Sequence, residues 1–114
     1  MRLGKAARLR RRREFLAVQE RGRRLHAGEL VVLALVTGTN RPRIGITVSK
    51  RVGTAVVRNR IKRWVREAFR EAAPDLPPVD VVVVARPGAG RMGLAAVREA
   101  LRAAARGLSP GSAP

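Results

Sequence analysis

Between Ala55 and Arg70, six polar residues could do chemistry on a polyanion: Arg58, Asn59, Arg60, Lys62, Arg63 and Arg66. At ~100° per residue on a helix, Asn59, Arg63, Arg66 and Arg70 fall on one arc, flanked by Arg60 and Lys62. Cations spaced roughly 5–6 Å along a helix face can each meet a successive phosphate. Left without an anion, such neighbours repel by a few tenths of a kcal/mol per pair. An ordinary solvated face would mix in acids, yet Glu67 is the only one between Ala55 and Arg70. Asn59 stands between two arginines, where an amide can read a base edge or hold a ribose. A lone Asn on a helix more often does nothing, so the cations carry the argument.

Other chemistries are poorly provided for. The chain has no cysteine, hence no thiolate nucleophile, disulfide framework or thiolate metal site. One histidine, His26, makes no His-rich metal centre. Metal-dependent phosphodiester hydrolysis needs clustered carboxylates to hold its ions. The eight acids are Glu14, Glu20, Glu29, Glu67, Glu71, Asp75, Asp80 and Glu99. Within the Ala55–Ala72 stretch only Glu67 and Glu71 make an i, i+4 pair, and it flanks Arg70. The expectation is a binding protein with no catalytic residue and no metal ligand of its own.

The cations need elements to hold them. Val57, Ile61, Trp64, Val65, Ala68 and Ala72 form the apolar arc opposite this row of cations, a comb of positive charge, with Phe69 at its edge, predicting a helix over 55–72. Residues 12–20 read as a shorter helix ended by Gly22, with Phe15 and Leu16 toward a core. Residues 30–36 and 43–48 read as strands around the turn residues 37–40, and are expected to pair as an antiparallel hairpin. Gly45 inside the second strand marks a bulge or a close approach by another element. Val79 to Ala85 contains four consecutive valines, a strand buried on both faces. Met92 to Arg106 reads as another amphipathic helix, with Arg98, Arg102 and Arg106 on its outer side. The order is α-β-β-α-β-α, and 43–48, 55–72 and 79–85 make a β-α-β unit with parallel strands. The fold class is α/β (α+β), a two-layer sandwich on a mixed sheet. Residues 1–11 read as a basic flexible arm, 12–106 as one domain and 107–114 as a disordered tail.

Charge narrows the partner. The chain of 114 residues carries 25 Lys+Arg against 8 Asp+Glu, a formal net charge of +17. Residues 1–24 hold ten cations and two acids, and residues 50–70 hold eight and one, so these segments contribute +8 and +7. At 46% hydrophobic residues the chain can still build a core. No apolar stretch approaches the ~20 residues of a membrane span, and the basic segments lack a broad apolar insertion face. Nucleic acid is the expected partner, with no membrane and no small-molecule substrate.

Residues 47–67 (Thr-Val-Ser-Lys-Arg-Val-Gly-Thr-Ala-Val-Val-Arg-Asn-Arg-Ile-Lys-Arg-Trp-Val-Arg-Glu) closely resemble the signature of the bacterial ribonuclease P protein component. Its hallmark is an Arg-Asn-Arg helix after a Gly-containing loop. The likeness extends over about residues 8–106, including the early Phe and the strand ending in Ala85-Arg86.

The resemblance implies a ribonucleoprotein that removes the 5′ leader of precursor tRNA. Its RNA subunit is the catalyst and holds the Mg²⁺, while the protein binds the ribonuclease P RNA and the leader in the cytoplasm. It also implies a fold like domain 2 of ribosomal protein S5, with a left-handed β-α-β crossover that breaks the usual rule. Carried over, Arg58, Asn59, Arg60, Lys62, Arg63 and Arg66 bind RNA. Phe15, Val31, Leu33, Ser49, Lys50, Arg51 and Arg86 line the leader cleft. The departure lies in the aromatics: Gln19 and Leu33 stand where relatives tend to carry rings, so charge and packing must do more of the holding. The alternatives are a small basic ribosomal or ribosome-assembly protein, a stand-alone nuclease and an anionic-membrane binder.

Overall fold

Helix α1 (Arg12–Arg21) starts where Glu14 turns back on the chain. Its Oε1 accepts the Arg10 and Arg11 backbone N–H groups at 3.2 and 3.0 Å, satisfying donors that a helix start leaves free. The computed structural model describes residues 7–37 and 40–108. After α1 come β1 (Arg23–Ala27), β2 (Leu30–Val36), β3 (Arg43–Thr47), α2 (Ala55–Ala72), β4 (Val79–Ala85) and α3 (Gly93–Leu108). Three short 3₁₀ turns, at 50–52, 73–75 and 87–91, join the later elements.

The four strands form one mixed sheet in the order β1-β2-β4-β3. β2 does not pair with β3. It pairs antiparallel with β1 (Ala27↔Leu30) and with β4 (Leu30↔Ala85 to Val36↔Val79), and β4 pairs parallel with β3 (Arg43↔Asp80 to Thr47↔Val84). The hairpin expected between 30–36 and 43–48 is therefore corrected: the hairpin is β1–β2, and β4 lies between the other two strands. The cause is burial. A strand apolar on both faces belongs in the middle of a sheet, which moves Gly-containing β3 to an edge. β1 itself escapes a hydrophobicity reading because Arg23, Arg24 and His26 face solvent, with Leu25 and Ala27 alternating inward. Its two-residue turn works because Gly28 takes φ +60°, as primed hairpin turns demand.

The strand alternation feeds two cores. Leu30, Val32, Ala34, Ile44, Val79, Val81, Val83 and Ala85 face α2 and α3, where they meet Ile61, Val65, Phe69, Val97 and Leu101. Leu33 and Val82 face the other way and are covered by Val18 of α1 and by Leu9. α1 thus adds a short cover to the sheet face opposite the two long helices. Phe69, expected at the arc's edge, is fully buried, and Trp64 is partly buried against the same core.

The domain's edges also shift. Residues 8–9 are not a free arm: Arg8 bridges to Ile44 in parallel, and the Leu9 N–H donates to the Ile44 carbonyl at 2.9 Å. This caps the open edge of β3, which would otherwise present unpaired backbone groups. α3 runs two residues past its expected end, and Arg23 donates to the Gly107 carbonyl at 3.0 Å. Residues 1–6, 38–39 and 109–114, which include most of the arm, half the 37–40 turn and most of the tail, lie outside the described residues. Among the described residues no helix is long and apolar enough to cross a membrane.

Candidate nucleic-acid interface

α2 begins at a Thr54 cap, whose hydroxyl accepts the Val57 N–H at 3.3 Å. From there the helix turns its apolar stripe into the core and leaves Asn59, Arg60, Arg63 and Arg66 exposed, with Arg58 and Lys62 half-buried beside them. Along the rest of the helix the charge is neutralised. Glu67 pairs with Arg70, and Glu71 pairs with Arg98 of α3 at 2.7 Å. Among the described residues no carboxylate reaches Arg58, Arg60, Lys62, Arg63 or Arg66. The uncompensated cations of α2 therefore run from Arg58 to Arg66, while Arg70, expected on the same arc, is taken up by Glu67.

The sheet face under α1 is built in rows set by the register. One row is Arg43, Asp80 and Leu35; the next is Gly45, Val82 and Leu33; the third is Thr47, Val84 and Val31. α1 covers the first two. Phe15 lies directly on Gly45, where an added Cβ would come within 2.5 Å of the ring. The third row is only partly covered, for Val31, Thr47 and Val84 are all half-buried. Beyond it lie the exposed Ser49, Lys50 and Arg51, which lead into α2, and Arg86, which follows β4. The Arg86 N–H is anchored on the Glu29 carbonyl at 2.9 Å.

The structure thus brings together Phe15, Val31, Ser49, Lys50, Arg51 and Arg86 around one open end of the sheet. Leu33 is different. It is 2% exposed under α1, in the same small core as Val18 and Val82, so it supports the groove from behind and does not wall it. Its side chain points to the expected face, but the helix above closes that part of the face. A ring at this position would have to lift α1 and would offer no stacking platform. Thr47 and Val84 take its place as accessible floor. Both were missed because their neighbourhood depends on β4 lying beside β3, a pairing between distant segments.

A second link joins the sheet face to the comb. A small groove of about 150 Å³ at the β3 edge is lined by Arg8, Leu9, Phe15, Gly45, Lys62 and Arg66, together with Ile44 and Ile46. Phe15 and two comb cations therefore share one depression, half apolar and half cationic, as a single strand of nucleic acid requires. Arg8 was invisible as part of this site until residues 8–9 docked on β3.

Comparison with known proteins decides the family. The Ribonuclease P family model matches residues 3–109. The chain belongs to the ribonuclease P protein family. The ribonuclease P protein component of Desulfovibrio desulfuricans is 44% identical, over 96% of this chain and 91% of that protein. That of Gluconacetobacter diazotrophicus is 48% identical, over 74% of this chain and 75% of its own. Among solved structures, the RNase P protein of Staphylococcus aureus superposes with TM-score 0.79 at 31% identity, over 87% of this chain and 92% of that one. The Thermotoga maritima RNase P protein gives TM-score 0.79 at 36% identity, over 90% and 98%. This ribonuclease P protein therefore has the α+β fold of its relatives, and the 44% identity spans the comb, the sheet and α1 together.

Six of the eight acids of this ribonuclease P protein lie within ion-pair distance of an arginine. Asp80 and Glu14 both bind Arg43, at 2.7 and 3.0 Å, and Glu99 faces Arg102 and Arg106. Among the described residues no three His, Asp or Glu side chains converge on a point that could hold a metal ion. The side chains present thus do not fit a resident Mg²⁺.

Proposed function

We propose that this protein component of ribonuclease P holds the RNA subunit on the exposed cations of α2 and guides the 5′ leader of precursor tRNA across the open end of the sheet. The subunit role in tRNA 5′ maturation follows from its family. The assignment of surfaces is supported by one observation above others: the groove in which Phe15 of α1 meets Lys62 and Arg66 of α2. A leader entering there passes from the phosphate contacts of the comb to Phe15, then to Val31, Thr47 and Val84, with Lys50, Arg51 and Arg86 neutralising its backbone. Arg58, Asn59, Arg60, Lys62, Arg63 and Arg66 together hold the folded RNA, where the planar guanidinium groups among them suit phosphate oxygens.

In this reading Mg²⁺ belongs to the RNA subunit, and the protein lowers the Mg²⁺ demand by adding positive charge where RNA strands converge. The reaction is carried by the RNA, and the assembly works in the cytoplasm, where bacterial precursor tRNA is made.

Reconstitution with a bacterial ribonuclease P RNA is the direct test. Precursor tRNA cleavage at low Mg²⁺ is expected to rise on adding the protein. Precursor is expected to bind more tightly than mature tRNA only when the protein is present. Equal affinity for the two ligands in the reconstituted enzyme would remove the leader assignment.

A further inference from the structure

We propose that Arg43 is a positioning residue for the leader groove, fixing α1 above the sheet through Asp80 on one side and Glu14 on the other. The inference rests on the leader reading given above.

Each of the three nitrogens of the Arg43 guanidinium is engaged. Its Nε and one terminal nitrogen donate to Asp80 Oδ1 and Oδ2 at 2.8 and 2.7 Å, a two-pronged bond between neighbouring residues of β3 and β4. Its other terminal nitrogen donates to Glu14 Oε2 at 3.0 Å. Asp80 is 3% exposed and is the one charged residue fully buried among those described. Glu14 passes the connection on, since its second oxygen receives the N–H groups of Arg10 and Arg11. One side chain thus ties two strands, the first turn of α1 and the segment leading to the β3 edge.

The location gives this tie a purpose beyond stability. A buried ion pair is weak evidence for stability, because desolvation offsets most of the attraction. Its directional bonds can instead select one geometry. α1 has ten residues and only one fully buried side chain, Val18, so apolar packing alone defines its tilt poorly. Arg43 and Gly45 lie two residues apart on the same face of β3, and Phe15, next to Glu14, rests on Gly45. Moving the Glu14 end of α1 therefore moves Phe15 against the groove. Lysine could not replace Arg43, having no planar fork to span both carboxylates.

The test uses the reconstituted holoenzyme with Glu14→Gln and Arg43→Lys. Glu14→Gln leaves the Arg43–Asp80 bond and the helix cap in place, so folding should persist, as circular dichroism and melting would report. Dissociation constants are measured for precursor tRNA with a leader of several nucleotides, for mature tRNA, and for the RNA subunit. Both variants are expected to weaken precursor binding about tenfold, equivalent to ~1.4 kcal/mol. Mature tRNA and RNA-subunit binding should stay within about twofold. A uniform loss across all three ligands, following the melting temperature, would show a merely structural role and overturn the proposal. So would unchanged precursor affinity in variants of a wild type that prefers precursor. A wild type without that preference would overturn the leader reading, and the positioning role with it.

Discussion

A methyl group added at Gly45 would meet the Phe15 ring at 2.5 Å, so the close approach across the middle row depends on one missing side chain. Gly45→Ala is expected to push α1 outward, with the overpacking penalty of ~1–3 kcal/mol seen when cores are forced to expand. Thermal melting should record the loss, and precursor tRNA affinity should fall more than RNA-subunit affinity. Glu14 makes the same region sensitive to acid. The backbone N–H of Arg11 holds its carboxyl below the usual carboxylate range, and Arg43 adds to that effect. With the folded pKa below the unfolded value of ~4.3, its stabilisation is complete above that value and disappears as pH falls through the lower one. Melting temperatures of wild type and Glu14→Gln should therefore differ at neutral pH and converge in acid below pH ~4. A constant offset down to the acid limit would mean that the Glu14 charge does not support α1.

At the scale of elements, α2 separates two tasks around its circumference. Its buried side, centred on Ile61 and Val65, holds the fold, while Arg63 and Arg66 stand exposed on the other. Replacing both arginines with Ala should leave circular dichroism and melting nearly unchanged. For every phosphate left without its arginine, the dependence of log K on log salt for the RNA subunit should flatten by ~0.7–0.9. An unchanged slope would mean that this face is turned away from RNA. The comb was readable from residue pattern because helical periodicity is local: any residue's side of α2 is set by its neighbours within a few positions. The first helix was equally readable as an element, but its place on the sheet was not. That depends on Val18 finding Leu33 and Val82 across the sheet, and on Glu14 finding Arg43.

For the whole molecule, a formal charge of +17 and six of eight acids paired with arginines describe a scaffold for RNA. Purified protein, freed of RNA, is expected to leave precursor tRNA intact at every Mg²⁺ concentration. Mature 5′ ends appearing without the RNA subunit would contradict the accessory role.

The residues alone determine the elements that carry strong periodicity, the comb on α2, the apolar strand 79–85 and, through the 47–67 segment, the family. These are local or contiguous patterns, decided within a turn of helix or a run of strand. Strand order is of another kind. β4 joins β2 and β3 across dozens of residues, and that non-local pairing creates the row of Val31, Thr47 and Val84. The same pairing puts Leu33 behind the groove, for alternation names a face but not what covers it. Edge strand β1, with only Leu25 and Ala27 turned inward, has too weak an apolar pattern to announce itself and forms because β2 offers it a partner. The tertiary structure alone decided which parts of a legible face stay open to a nucleic-acid strand, because burial there results from α1 docking on one end of the sheet and leaving the other exposed.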